Sequence, residues 1–137
     1  MNENDSVITE ADMWRLVDRQ RATAAAMVED KDHCASAWSA AGLAVELALK
    51  ATIMRRRRLN AWPDAGDLHS HNIRFLMREA GIDPRQAPPP PRHMLRMVMD
   101  WKREHDYRPG RMARKVARSM VESALSKEGV VEWLRAL

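Results

Sequence analysis

Apolar residues recur three and four positions apart along most of the chain, whereas the alternation of apolar and polar residues that marks a half-buried strand is hard to find. This pattern predicts an all-α fold. Short proline- and glycine-containing links separate the helical stretches, which predicts an antiparallel up-and-down bundle of four to five helices. A chain of 137 residues suffices for one hydrophobic core. We therefore expect a single domain over residues 9–137, preceded by a flexible N-terminus over residues 1–8.

The first helix is predicted to begin near Thr9, whose hydroxyl can cap it, with Asp12 three positions later. Further helices cover about residues 32–58, 68–80 and 92–105, a fifth follows Gly110, and Gly129 divides it from a last segment. The second helix is apolar almost all round, which predicts a central position. Its exceptions, Glu46 and Lys50, are spaced as an exposed or half-exposed ion pair.

Two connections contain candidate recognition elements. In "LNAWPDAGD", Trp62 is a possible contact anchor for a partner protein, because its ring is large and amphipathic. The segment "IDPRQAPPPP" is predicted to be extended rather than helical, since proline lacks the donor that a helix needs. It is either a stiff spacer or a proline-rich ligand.

Composition and charge narrow the classes of protein. The one cysteine, Cys34, is expected to be a small buried residue, and the absence of a secretory or membrane-spanning pattern predicts a cytoplasmic protein. Residues 1–32 carry a net charge of −4, from eight acids and four basic residues, whereas residues 92–118 carry +6, from nine basic residues and three acids. This asymmetry permits a polyanionic partner without requiring one.

The sequence lacks the motifs of most enzyme classes: it has no glycine-rich phosphate loop, no zinc-spaced cysteine or histidine pairs and no H-E-x-x-H. His69 and His71, two positions apart, would point to different sides of a helix, so they are not expected to share a metal. Cys34 beside His33 is not expected to act as a nucleophile, because adjacent helical residues diverge. We therefore predict neither a metal nor another cofactor.

Basic residues and the stretch "WKREHDYRPG" are the remaining candidates. Arg103, His105 and Tyr107 are a metal-free RNA-cutting site, a patch that binds nucleic acid or a nucleotide, or the polar end of a helix, where cations suit the macrodipole. The run "RRRR", Arg55 to Arg58, either closes the second helix, where positive charge suits the macrodipole, or contacts nucleic acid or an acidic partner. The residues predicted to contact nucleic acid are Arg55, Arg58, Arg96, Arg108 and Arg111.

Three stretches, "AWSAAGLAVELALKATIMRRRR", "HSHNIRFLMREAGI" and "WKREHDYRPGRMARKVARSMVESALSKEGVVEWL", occur in an order that resembles the HEPN family of bacterial helical-bundle proteins. The resemblance covers about residues 10–135 and depends on "ELALKA" in the central helix, on a His-Asp-Leu-like triplet at residues 71–73, and on the Arg-x-x-x-Tyr stretch from Arg103 to Tyr107. It implies a bundle that often forms homodimers. It also implies a role linked to RNA or nucleotides, either as a metal-independent endoribonuclease of a toxin–antitoxin or defence pair or as a non-catalytic partner of a nucleotidyltransferase.

The chain departs from the pattern of the catalytic members, in which an arginine precedes a histidine by four to six intervening residues. The nearest case, Arg85 to His93, has seven. A His-x-Tyr variant is present at His105 and Tyr107, but Asp100 stands where the matching arginine belongs. Two hypotheses follow: a ribonuclease in which His105 accepts a proton and Arg103 neutralises phosphate, or a non-enzymatic adaptor that binds a partner protein.

Overall fold

A computed structural model describes residues 7–64, 66–101 and 112–137, and the regular structure within them is entirely helical. The predicted all-α bundle is thereby confirmed. The α-helices of the described residues are α1 Glu10–Met27, α2 Cys34–Arg57, α3 Ile73–Glu79, α4 Pro91–Met99, α5 Arg114–Leu125 and α6 Val130–Ala136.

Helix α1 begins where the sequence predicts. The Thr9 hydroxyl accepts the backbone N–H of Asp12 at 3.1 Å, and the Asp12 carboxylate accepts the backbone N–H of Thr9 at 2.9 Å. Each side chain therefore satisfies a backbone donor that the helix start leaves open. The next helix returns alongside, because Arg55 near the end of α2 binds Glu10 at the start of α1 at 2.9 Å.

Helix α2 is the centre of the bundle and contacts α1, α3, α5 and α6. Its alanines and Gly42 allow close packing: a Cβ added to Gly42 would lie 2.1 Å from the Trp101 ring. By length and composition α2 could cross a membrane, yet 83% of its apolar window is buried by the rest of the protein. The prediction of a central helix is correct, and so is the prediction that Cys34, its first residue, is buried.

Three predicted boundaries are wrong. Helix α4 ends at Met99, with Asp100 as its C-cap, rather than near residue 105. Helix α3 begins at Ile73 rather than near residue 68, because Asp67–His69 forms a separate 3-10 turn and the Asn72 side chain caps the helix by accepting the Phe75 N–H at 3.0 Å. The segment "IDPRQAPPPP" is also not wholly extended, because Pro84–Gln86 forms a 3-10 turn within it. Pro91 is the first residue of α4, a position where the missing N–H costs nothing.

Candidate functional site

The predicted catalytic residues Arg103, His105 and Tyr107 lie outside the described residues, as do Arg108 and Arg111. Their roles stay predictions. Within the described ranges, the structure forms a different polar cluster, and α2 supplies its centre.

Glu46 and Lys50 are buried rather than exposed, which corrects the expectation from their spacing. Glu46 is 2% exposed and Lys50 is 8% exposed. They share the side of α2 that other parts of the chain cover, so their charges are removed from most of the surrounding water. Burial of a charge is costly unless it is paired and hydrogen-bonded, and the remaining contacts of the cluster provide that compensation.

The Glu46 carboxylate is the shared acceptor of the cluster. Lys50 Nζ donates to Glu46 Oε2 at 3.1 Å from one helical turn away. His71 Nδ1 lies 3.1 Å from both Glu46 Oε1 and Glu46 Oε2. One buried carboxylate thus binds an ammonium group from its own helix and an imidazole from a segment 25 residues further along the chain.

Local structure places His71 over α2. The residue lies between the 3-10 turn Asp67–His69 and the start of α3, where the Ser70 hydroxyl accepts the Asn72 N–H at 2.9 Å. These short-range hydrogen bonds fix the backbone on both sides of the histidine. The His71 side chain is 52% exposed, so the cluster reaches solvent at the imidazole while its carboxylate stays buried.

Trp62 forms a wall of the cluster. Lys50 Nζ lies 5.6 Å from the centroid of the Trp62 ring, within the range of a cation–π contact. The ring centroids of Trp62 and His69 are 6.3 Å apart, and His69 Nε2 contacts the Pro63 carbonyl oxygen. Trp62 is buried, so its indole stabilises the inside of this protein, and the prediction of an outward contact anchor is wrong.

This geometry has a definite chemical consequence. A carboxylate only accepts hydrogen bonds, so the contact to His71 requires a proton on Nδ1. In the neutral imidazole, that tautomer has its basic lone pair on Nε2. The contact to Glu46 therefore orients the imidazole at the surface of the protein. Among the described residues, no group of three or more His, Cys, Asp or Glu side chains is placed to hold a metal ion.

The described arginines that were predicted to contact nucleic acid have different surroundings. Arg55 binds Glu10 and donates from Nη1 to the carbonyl oxygens of Arg135 and Leu137 at 3.1 and 2.9 Å. Arg58 is exposed at the end of α2, where its φ of 55° ends the helix. Arg96 is exposed on α4 beside a shallow groove.

Two of the three segments that carry the HEPN resemblance meet in this cluster, since "ELALKA" contributes Glu46 and Lys50 and the triplet at residues 71–73 contributes His71. Sequence reasoning missed the contact. A signal was available, because two charged residues in an otherwise apolar central helix indicate a buried pair. Compared with known proteins, the chain matches no family model, no curated protein and no solved structure.

Proposed function

We propose that this chain is a HEPN-like protein that acts on RNA in the cytoplasm as a metal-independent endoribonuclease, within a toxin–antitoxin or defence pair. The observation that supports the proposal is the contact between the two resemblance segments, in which the buried Glu46 carboxylate binds Nδ1 of the half-exposed His71. Two distant segments that carry parts of one family motif are expected to contact each other if they form one functional site.

The chemistry explains why an imidazole and a cation suffice. Cleavage without a metal requires a group that takes the proton of the 2′-hydroxyl and a positive charge that stabilises the phosphate in the transition state. Histidine suits the first role near neutral pH, and arginine suits the second because its guanidinium binds phosphate with two hydrogen bonds. In this proposal Arg103 supplies the charge and Tyr107 stacks on a base or donates a hydrogen bond.

The test is cleavage of mixed RNA by purified protein in excess EDTA. Wild-type protein is expected to cut, and Arg103→Ala is expected to lose about 10²-fold or more in rate, because one transition-state charge contact is removed. Arg19→Ala is the matched control, since Arg19 is exposed on α1, far along the chain from the predicted site. RNA that remains intact and unbound in the presence of wild-type protein would refute the proposal.

A second candidate function is a non-enzymatic adaptor for a nucleotidyltransferase, and one observation favours it. Met97 on α4 and Val116 on α5 are large apolar side chains that remain exposed on two helices packed against each other. Met94 and Arg96 line a shallow groove next to Met97. An apolar surface with a cationic edge is typical of a protein contact.

The adaptor hypothesis predicts that a nucleotidyltransferase co-purifies in equimolar amount with the tagged protein, and that Met97→Glu abolishes its recovery. Val7→Glu is the control, because Val7 is similarly exposed but precedes α1. Light scattering on the purified protein tests homodimer formation through the same face. A monomer that retains no partner would exclude both the adaptor and the dimer.

A further inference from the structure

We infer that a groove between α3 and the segment that follows it binds an unpaired nucleotide of single-stranded RNA. The inference rests on the proposed function and names a place on the protein that holds the substrate. The groove has a volume of about 450 Å³, within the range of about 300–1,000 Å³ that small-ligand sites occupy. Its described lining comes from α3, residues 81–85 and the end of α4.

The end of α3 turns the chain back along the helix and forms the floor of the groove. Gly81 has a φ of 75°, a left-handed conformation that glycine adopts without the steric cost of a Cβ. The Gly81 N–H donates to the Arg78 carbonyl oxygen at 3.0 Å, and the Ile82 N–H donates to the Met77 carbonyl oxygen at 2.9 Å. These are the two bonds of a Schellman helix end. The buried side chains of Met77 and Ile82 and the partly buried Met99 make the floor apolar.

Three arginines line the same groove. Arg74 and Arg78 are four residues apart on α3 and therefore share one face of the helix. Arg85 reaches the groove from the returning segment, where the Asp83 carboxylate accepts its backbone N–H at 3.0 Å and its Nε at 3.2 Å. Asp83 is the one carboxylate among the described lining residues, so three positive charges and one negative charge give the lining a net charge of +2.

The guanidinium groups on α3 are accessible to an anion. Arg78 Cζ lies 5.7 Å from the centroid of the Phe75 ring, and no carboxylate of the described residues pairs with Arg78. Arg74 binds Asp100 at 2.9 Å, but both side chains are more than half exposed, so the pair is weak and a phosphate can replace Asp100. Like charges one helical turn apart repel each other, and a bound phosphate would remove this repulsion between Arg74 and Arg78.

A fourth arginine removes an obstacle to anion binding. Helix α3 ends at the groove, and the partial negative charge of its last carbonyl groups disfavours an anion there. Arg56 Nη1 donates to the carbonyl oxygens of Ala80 at 2.8 Å and Gly81 at 3.2 Å. The Arg56 guanidinium thus offsets the negative end of the helix, and the surroundings of the groove stay cationic.

A nucleotide is complementary to both parts of the groove. Guanidinium groups bind phosphate oxygens with two hydrogen bonds, and an apolar floor receives the face of a base. The base must be unpaired, because the bases of a double-stranded RNA helix are stacked and enclosed. An acidic peptide would satisfy the arginines but leave the apolar floor uncovered. Single-stranded RNA therefore matches the charge and the floor of the groove better than a peptide does.

Fluorescence anisotropy with a labelled 2′-O-methyl oligoadenylate measures binding without cleavage, because this probe lacks the 2′-hydroxyl that the proposed reaction uses. Arg78→Gln is expected to weaken binding about 5- to 10-fold. It should also make the dependence of log Kd on log salt concentration shallower by about 0.7, the contribution of one phosphate contact in a single strand. Met99→Gln should weaken binding about 5-fold or more without changing that slope, since it alters only the contact with the base.

Arg19→Gln is the charge-matched control, because Arg19 is exposed on α1 and does not line the groove, and circular dichroism verifies that each variant folds. Equal affinity of Arg78→Gln and Arg19→Gln overturns the inference. Equal binding of an RNA duplex, or full competition by inorganic polyphosphate, also overturns it, because charge alone would then explain the binding. Wild-type cleavage of mixed RNA in EDTA alongside any of these results leaves the proposed function standing, whereas wild-type protein that neither cuts mixed RNA nor binds the probe refutes both.

Discussion

Replacing Glu46 by leucine should destabilise the protein severely, although leucine is apolar and the site is buried. The substitution leaves the Lys50 ammonium group at 8% exposure with the Trp62 ring as its remaining contact in the cluster. Removing one partner of a buried ion pair costs about 3–5 kcal/mol, because the other charge stays desolvated. For a chain of this length, such a loss lowers Tm by about 10 °C or more.

The companion variants separate pairing from packing. Lys50→Met should cost less, about 1–3 kcal/mol, since Glu46 keeps its hydrogen bond to His71. The double variant Glu46→Leu/Lys50→Met leaves neither member of the ion pair without its partner. Its free energy of unfolding should therefore lie within about 1 kcal/mol of the wild-type value. The two single losses are therefore expected not to add in the double variant.

Urea unfolding followed by circular dichroism and tryptophan fluorescence measures these free energies. Arg74→Met provides a control, because Arg74 and Asp100 form an ion pair with side chains 59% and 78% exposed, and such pairs contribute about 0–1 kcal/mol. If Glu46→Leu costs less than about 1 kcal/mol, or if the single losses add in the double variant, mutual compensation within the buried pair is the wrong account.

Three further results are expected. Gly42→Ala should lose about 1–3 kcal/mol in chemical unfolding and change the tryptophan fluorescence, because the new Cβ meets the indole ring packed on Gly42; a more stable variant would contradict this packing. The backbone N–H of Thr9 lowers the pKa of Asp12 below its ordinary 3.8, so the charged carboxylate stabilises the folded state above that pH and ceases to do so as the pH falls through the lower folded value. The free energies of unfolding of wild type and Asp12→Asn should therefore differ at neutral pH and converge at low pH. A difference that stays constant with pH would refute this stabilising role of the Asp12 carboxylate. Arg55→Ala should lower the free energy of unfolding by about 1 kcal/mol without weakening RNA retention. Arg58→Ala should weaken RNA retention without lowering Tm. If Arg55→Ala instead weakens RNA retention and leaves stability unchanged, the intrachain role of Arg55 is excluded.

Features that depend on neighbouring residues were predictable from the sequence. The start of α1 is one example, because Thr9 and Asp12 satisfy each other's backbone donors within four residues. The all-α fold and the central position of α2 also follow from the spacing of apolar residues, since a helix that is apolar all round must be covered on several sides. The start of α3 was predicted too early because Asn72 caps the helix at a point that the apolar pattern does not mark.

The candidate site was decided by the tertiary structure. A glutamate and a lysine one helical turn apart form the same sequence pattern whether they are exposed to solvent or buried. Only the segments that pack over α2 determine that Glu46 and Lys50 are buried. Those segments bring His71 to Glu46 and Trp62 to Lys50. The sequence by itself determined which residues are able to accept, donate or hold a charge. Burial determined the strength of those interactions, because removal of water depends on the whole bundle and not on any single helix.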